Sequence, residues 1–127
     1  MQDSQKFLIC KHCGNLIGFV KNKGVPIVCC GEKMKELVPN TVEASNEKHL
    51  PDVTVSGDRV DVQIGSVLHP MEDAHYITFV YVETERGGQR KCLNPGEEPK
   101  LSFCFTADKP LAVYAYCNLH GLWKTEI

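Results

Sequence analysis

The stretch that decides the fold is Val53-Thr-Val-Ser-Gly-Asp-Arg-Val-Asp-Val-Gln-Ile64. Apolar side chains alternate with polar ones on both sides of Ser56-Gly57-Asp58, and this period of two is typical of half-buried β-strands. A glycine-containing break between two alternating runs predicts that the strands pair as an antiparallel hairpin. Residues 53–64 therefore predict β structure.

Downstream segments continue the β pattern. Residues 76–82 form a near-continuous run of β-branched and aromatic side chains, which is typical of a central strand, and residues 86–89 (Arg-Gly-Gly-Gln) predict a hairpin turn. Residues 101–105 alternate again, and residues 111–117 form another apolar strand. No segment combines helical period with caps. Short strands separated by turns predict an all-β fold, an antiparallel sandwich of immunoglobulin-like type.

A change in composition divides the chain. Residues 1–38 hold six Lys against three acidic residues, a net charge of +3, whereas residues 39–127 carry −5. Pro39 favours an extended conformation at Val38, which is typical of a boundary. We therefore predict one domain at 1–38 and a second at 39–127. The first is too short to fold on an apolar core alone and needs a staple.

The overall composition excludes several classes of protein. With 127 residues, 43% hydrophobic and 24% charged, the chain reads as a folded, soluble protein. Its apolar runs are too short for a membrane span, and a net charge of −2 gives no support for a nucleic-acid partner. The N-terminal residues show no secretory signal, so a cytoplasmic location is expected.

Cysteine usage points to metal binding. Seven Cys are an odd number, which excludes a complete set of internal disulfides, and clustered thiols in a reducing compartment are better read as metal ligands or redox groups. Cys10-Lys-His-Cys13 and, sixteen residues on, Cys29-Cys30 supply four thiolates for a tetrahedral site. Zinc and mononuclear iron both fit this spacing. Because adjacent side chains diverge, we expect the tetrahedron to open at its Cys29–Cys30 edge.

A second constellation combines imidazoles with one thiolate. His49, His69, His75 and His120 lie at predicted strand ends or in short loops, and Cys117 ends a strand three residues before His120. Loops at one end of a sandwich can converge, and such ligands suit iron, copper, zinc or nickel. Blue copper is disfavoured because no Met follows His120. Four imidazoles and one thiolate leave an octahedral position free, which suits reduction of a small oxygen species.

Taken together, these motifs resemble desulfoferrodoxin, the two-iron class of superoxide reductase. The matching segments are Cys10-x-x-Cys13, Cys29-Cys30, Glu47-Lys48-His49, His69-Pro-Met-Glu-Asp-Ala-His75 and Cys117-Asn-Leu-His120-Gly-Leu-Trp. The resemblance implies a desulforedoxin-like domain with an Fe(Cys)4 centre and an immunoglobulin-like domain with an Fe(His)4(Cys) centre. It also implies a homodimer, re-reduced by a rubredoxin-like donor, that converts superoxide to hydrogen peroxide. The implied iron ligands are Cys10, Cys13, Cys29, Cys30, His49, His69, His75, Cys117 and His120.

Two further residues are candidates for a catalytic role. Lys48 stands next to His49 in a domain of negative net charge, so it is expected to attract superoxide and to order a proton-donating water. At roughly 6 Å and an effective dielectric of about 20, one charge pair is worth about 3 kcal/mol before screening. In the family, the residue matching Glu47 is a ligand of the oxidised iron. The alternative for both residues is an ordinary solvated side chain.

Finer expectations concern the ligand atoms and the remaining cysteines. We expect His120 to bind through Nδ1 and the other three imidazoles through Nε2. Asn118 and Trp123 are expected to shape the thiolate side of the site. Two cysteines outside the ligand pattern, Cys92 and Cys104, are predicted to be core or strand residues. A two-centre electron carrier, a zinc-binding structural module and a dismutase remain alternatives to a reductase.

Overall fold

The computed structural model describes residues 4–127. Contacts between Cα atoms divide the chain into two compact units, with the division between Val38 and Pro39. Within the described residues, all regular structure is β apart from a single helical turn, and no helix is long and apolar enough to cross a membrane. The predicted all-β class is confirmed.

The first unit is built from five short strands. A three-stranded antiparallel sheet has the order β2-β1-β5, and β3 pairs with β4 in a separate hairpin. The strands are β1 (Phe7–Ile9), β2 (Leu16–Gly18), β3 (Val28–Cys29), β4 (Glu32–Lys33) and β5 (Lys35–Glu36). Among residues 4–38 only Phe7, Leu8 and Cys10 are buried. So small an apolar core fits the expectation that this unit needs a metal staple.

The second unit is a sandwich of two antiparallel sheets. One sheet has the order β10-β7-β6 and the other has the order β12-β11-β8-β9. The elements are α1 (Asn46–His49), β6 (Pro51–Ser56), β7 (Arg59–Ile64), β8 (Ile77–Thr84), β9 (Gly87–Cys92), β10 (Lys100–Cys104), β11 (Pro110–Cys117) and β12 (Gly121–Glu126). The hairpin predicted from residues 53–64 is the β6–β7 pair, with Val53 opposite Val62.

The core of this unit lies between the two sheets. Alternate residues of β7 are buried, and they pack in one cluster with Val80 and Val82 of β8 and with Phe103 of β10. The alternation places the apolar side chains of each strand on the inner face. Cys117 belongs to the same cluster and is fully buried, so the sandwich core continues up to one candidate metal ligand.

The structure differs from the sequence expectations at several points. The turn after β8 consists of Glu85 and Arg86, one residue earlier than predicted, and both following glycines lie in β9. Gly88 is required by a close approach, because a Cβ there would collide with the hydroxyl of Tyr81, whereas Gly87 has open space around it and a φ of +140°. Helix α1 and strand β12 were not predicted. Cys92 and Cys104 end β9 and β10 with exposed side chains, so the strand reading holds and the core reading is wrong.

Candidate metal centres

Four cysteine sulfurs come together in the first unit. The Sγ atoms of Cys10, Cys13, Cys29 and Cys30 all lie within 4.8 Å of one another. The Cys13–Cys29 distance is 3.6 Å and the Cys29–Cys30 distance is 4.0 Å. A tetrahedron with metal–sulfur bonds of about 2.3 Å separates its sulfurs by about 3.8 Å. The spacing therefore fits one tetrahedral ion, and of these two edges the one between the adjacent cysteines is the longer.

A tight hairpin turn lets two adjacent cysteines serve one site. Cys29 pairs with Glu32 across the β3–β4 hairpin, and Cys30 and Gly31 form the two-residue loop between them. Both loop residues have positive φ, 53° and 74°. This is the backbone of the hairpin turn whose twist matches that of its strands. The left-handed conformation at Cys30 turns the chain so sharply that its sulfur reaches the same cluster as that of Cys29.

Backbone and side-chain N–H groups surround these sulfurs. The N–H of Cys13 points at the sulfur of Cys10, 3.5 Å away, and this is the main cause that lowers the pKa of the Cys10 thiol to about 6. Asn15 donates its backbone N–H to Cys13 and its amide Nδ2 to Cys29. Neighbouring thiols, first Cys13, raise the pKa of Cys30 to about 12. The cluster thus favours the thiolate form of Cys10. The contacts of Asn15 with two of the sulfurs were not predicted from the sequence.

A second cluster lies at one end of the sandwich. Ligand atoms of His49, His69, His75 and Cys117 lie within 4.8 Å of one another. His49 ends α1, His69 follows β7, His75 precedes β8 and Cys117 ends β11. Three of these four side chains are buried, and His75 is half-buried. Loops from both sheets therefore converge as the sequence predicted.

His120 adjoins this group. Its Nδ1 lies 3.1 Å from Nε2 of His49 and 3.9 Å from the sulfur of Cys117. Its ring centroid is 5.1 Å from that of His75. The turn between β11 and β12 places it there, with Gly121 in the left-handed conformation at φ 79°. All five residues predicted for the second centre are thus neighbours.

Hydrogen bonds fix the ring nitrogen that two of the imidazoles offer to the cluster. Nδ1 of His49 donates to the carbonyl of Ser45 at 2.7 Å, and Nδ1 of His69 donates to the carbonyl of Pro70 at 2.7 Å. A carbonyl oxygen can only accept, so the proton sits on Nδ1 in both rings. Nε2 then carries the lone pair and is free to bind a metal, the arrangement usual for histidine ligands.

Two buried ring nitrogens indicate that the second cluster suits a cation. Nε2 of His69 and Nε2 of His75 are buried without a hydrogen-bond partner among the described residues. Buried polar atoms almost always have a partner, so each of these needs one. Burial also lowers the pKa of His49, and it lowers the pKa of His69 to about 4, which keeps both imidazoles neutral. Neutral imidazoles with unpartnered nitrogens match the requirements of a metal ion.

Opposing effects act on the pKa of the Cys117 thiol. Burial raises its pKa, while the backbone N–H groups of Leu119 and His120 lower it. A bound cation removes the proton from a coordinating thiol, and the two N–H groups then face a thiolate. Both N–H groups belong to the turn between β11 and β12, which also carries His120.

Glu47 and Lys48 occupy the helical turn that ends in His49. Both side chains are exposed. The carbonyl of Glu47 accepts from the backbone N–H of Val67 at 3.0 Å and from the hydroxyl of Ser66 at 3.3 Å. The backbone that carries both candidates is thus tied to the turn that follows β7.

This chain is similar to some known proteins over nearly its whole length and to others over about two-thirds of it. A model of the desulfoferrodoxin family matches residues 41–126. The desulfoferrodoxin of Nitratidesulfovibrio vulgaris is 39% identical over 126 residues, which covers 99% of each chain. The superoxide reductase of Treponema pallidum aligns with 98% of this chain and 100% of its own, at 36% identity and a TM-score of 0.81. A one-iron superoxide reductase from Giardia intestinalis covers 64% of this chain and 97% of its own, at 33% identity and a TM-score of 0.54.

The fold and the two clusters define a class, an all-β metalloprotein with a four-sulfur centre and a separate histidine–thiolate centre. Within that class, the chain belongs to the desulfoferrodoxin family. Iron is the metal of the family's two centres, and both donor sets fit it.

Proposed function

We propose that this chain is a superoxide reductase, which uses one electron and two protons to convert superoxide to hydrogen peroxide. The observation that carries the proposal is the convergence of His49, His69, His75 and Cys117 within 4.8 Å, beside His120. Proteins named superoxide reductase match this chain, one over almost its whole length and others over its larger part. The activity belongs to the second centre, where neutral imidazoles meet a single thiolate.

The five ligands have defined roles in the proposal. His49, His69 and His75 bind through Nε2 and His120 binds through Nδ1, which is supported by the nitrogens that face the cluster. Bound iron supplies a ferrous–ferric couple that passes one electron to a small oxygen anion. Cys117 makes the centre electron-rich, and the two N–H groups that face its sulfur moderate that donation.

Lys48 and Glu47 act around the bound anion. Lys48 attracts superoxide toward a domain whose net charge is −5 and orders the water that delivers protons. Glu47 would relay protons, or would serve as a further ligand of oxidised iron, as the family resemblance implies. Support comes from their place on the turn that carries His49, with exposed side chains. The hydrogen bonds from Ser66 and Val67 hold this turn in register with the buried imidazole.

The first centre and the partners complete the proposal. Cys10, Cys13, Cys29 and Cys30 hold a second iron that stabilises the N-terminal unit and relays electrons. The external reductant is a rubredoxin-like protein, the chain acts as a homodimer, and its location is the cytoplasm. These assignments rest on the family resemblance, and the small apolar core of residues 4–38 supports a stapling role for the iron.

A kinetic experiment tests the activity. Iron-loaded, reduced protein is mixed with superoxide in a stopped-flow instrument while peroxide and dioxygen are measured. We expect rapid oxidation of the second centre, with peroxide formed and no more dioxygen released than superoxide gives by itself in buffer. Dioxygen above that background would favour a dismutase, and absence of oxidation would favour an electron carrier, so either result contradicts the proposal.

The role of Lys48 has a matched control. Lys48→Met should slow oxidation by superoxide and weaken its dependence on ionic strength, because a steering charge is removed. Lys109→Met removes the same charge from an exposed lysine just before β11, at the end opposite Cys117. Equal effects of the two substitutions would show that only net charge matters.

A further inference from the structure

The side chain of Asn118 forms hydrogen bonds with both peptide groups that flank His75. Its Oδ1 accepts the backbone N–H of Tyr76 at 2.9 Å, and its Nδ2 donates to the carbonyl of Ala74 at 3.0 Å. The backbone N–H of Asn118 also donates to the carbonyl of Tyr76 at 3.2 Å. Three hydrogen bonds therefore join the residue after one ligand, Cys117, to the residues on either side of another ligand.

These bonds lie where the regular sheet ends. The ladder between β11 and β8 finishes at the pair Cys117 and Ile77, after a shift of register between Tyr116 and Cys117. Beyond that pair the N–H of Tyr76 and the carbonyl of Ala74 have no strand residue opposite them. The amide of Asn118 bonds to both and so continues the sheet connection as far as His75.

The backbone of His75 forms its own hydrogen bonds within a single turn. The N–H of His75 donates to the carbonyl of Glu72 and its carbonyl accepts from the N–H of Glu72, both at 3.0 Å. This pair forms an isolated bridge around a two-residue turn. Because the backbone of His75 is satisfied within its own turn, Asn118 supplies the bonds that hold this turn against the end of β11.

We infer that Asn118 is a positioning residue that fixes the His75 imidazole relative to the Cys117 sulfur. The inference rests on the proposed function, which makes both side chains ligands of one iron. Asn118 is exposed, so its role is not core packing. An amide is required because the site needs one acceptor and one donor on the same short side chain. Aspartate keeps only the acceptor, and alanine has neither group.

The test uses Asn118→Ala and Asn118→Asp in the full chain, with Gln89→Ala as the control. Gln89 is also an exposed amide, and it donates to the backbone carbonyl of Cys104 at 2.8 Å. It lies in β9, away from the second cluster. The readouts are hydrogen exchange at the Tyr76 amide in iron-free protein, the electron paramagnetic resonance signal of the second centre, and loss of its iron to a chelator.

Asn118→Ala should accelerate exchange at Tyr76, change the resonance signal and speed iron loss from the second centre about tenfold, as expected for a supporting residue of a metal site. Iron in the four-cysteine centre should stay unaffected. Asn118→Asp should keep the Tyr76 amide protected yet still release iron faster, because the bond to Ala74 is lost. Gln89→Ala should match the unmodified protein.

Two results would overturn the inference, and a third concerns the proposed function alone. Wild-type exchange at Tyr76 in Asn118→Ala would show that the bond is absent. Faster exchange with an unchanged signal and unchanged iron loss would show that the bond does not position His75. If His75→Ala retains the second iron with its original signal, the ligand assignment in the proposed function fails.

Discussion

The indole of Trp123 stacks on the imidazole of His49, with ring centroids 4.9 Å apart and an interplanar angle of 25°. Its Nε1 also donates to the carbonyl of His120 at 3.1 Å. Trp123 is 1% exposed, so one buried side chain of β12 supports two residues of the second centre from behind. Trp123 thus contacts His49 and the turn that follows Cys117.

This contact predicts the effect of two substitutions at Trp123. Phenylalanine keeps an aromatic face for His49 but leaves the carbonyl of His120 without its donor, so Trp123→Phe should cost about 1–3 kcal/mol. Trp123→Leu also loses ring area and should cost more. Denaturant unfolding of iron-free protein measures both. If Trp123→Phe unfolds at the wild-type denaturant concentration, the hydrogen bond to His120 carries no stability.

A second prediction concerns the turn that holds Glu47 and Lys48. Gly65 has a φ of +84°, and a Cβ there would collide with the carbonyl oxygen of Val67 and would lie 2.7 Å from that of Lys48 and 2.8 Å from that of Glu47. Gly65→Ala should therefore displace the helical turn and slow oxidation by superoxide. Gly57, in the β6–β7 turn at φ +61° with open space around it, is the control.

The control isolates the close approach from the backbone preference. Gly57→Ala should cost about 1–2 kcal/mol for a left-handed alanine and leave the reaction rate unchanged. Gly65→Ala adds steric displacement to the same backbone cost. The measurements are denaturant unfolding and the stopped-flow rate. Equal stability loss and equal rates in the two variants would contradict a role for Gly65 in placing the turn.

The first centre can be removed separately. Cys13→Ser takes one sulfur from a tetrahedron whose members lie within 4.8 Å of one another. We expect iron loss from this centre and a lower unfolding midpoint of the N-terminal unit, with iron retained by the histidine ligands. Metal analysis and visible absorption distinguish the two centres. Loss of both irons would contradict their independence, and continued peroxide formation would favour a mainly structural role for the first.

A pH effect is expected away from the metal centres. The Ser102 hydroxyl, then Arg59, lowers the pKa of Asp61. Because the folded-state pKa lies below the unfolded value of about 3.9, this stabilisation is present above that pH and is lost as pH falls through the folded-state pKa. Ser102→Ala should raise the pKa of Asp61 and reduce the acid-dependent loss of stability.

Denaturant unfolding between neutral and acid pH measures this difference. The control is Ser56→Ala, which removes an exposed hydroxyl at the end of β6. Its stability should fall with acid in the same way as that of the unmodified protein. An unchanged acid profile in Ser102→Ala would show that the hydroxyl does not stabilise the Asp61 carboxylate.

Local patterns explain what the sequence could predict of the fold. The β6–β7 hairpin was predictable because alternation and a glycine turn are contained in residues 53–64. Helix α1 was not, because it is one turn without a side-chain cap hydrogen bond from Ser45, and its support comes from distant residues such as Val67. Strand β12 lacks clear alternation and is recognised only through its pairing with β11.

The same distinction applies to the sites. Cys10-x-x-Cys13 and Cys117-x-x-His120 are readable as metal motifs because their members are close in sequence. The grouping of His49 with His69, His75 and Cys117 could be predicted only from the expected convergence of loops at one end of the sandwich and from the resemblance, since these residues are far apart along the chain. The contacts of Trp123, Gly65 and Asn118 depend on which loop lies against which, and no spacing encodes that.

Four imidazoles and one thiolate should surround a single iron in the second centre. Iron-edge X-ray absorption tests this on Cys13→Ser protein, in which only the second centre is expected to hold metal. The spectrum should show a shell of nitrogen ligands with one sulfur, and the sulfur should disappear when Cys117→Ser is added. A shell without sulfur, or a sulfur that survives the change at Cys117, would contradict it.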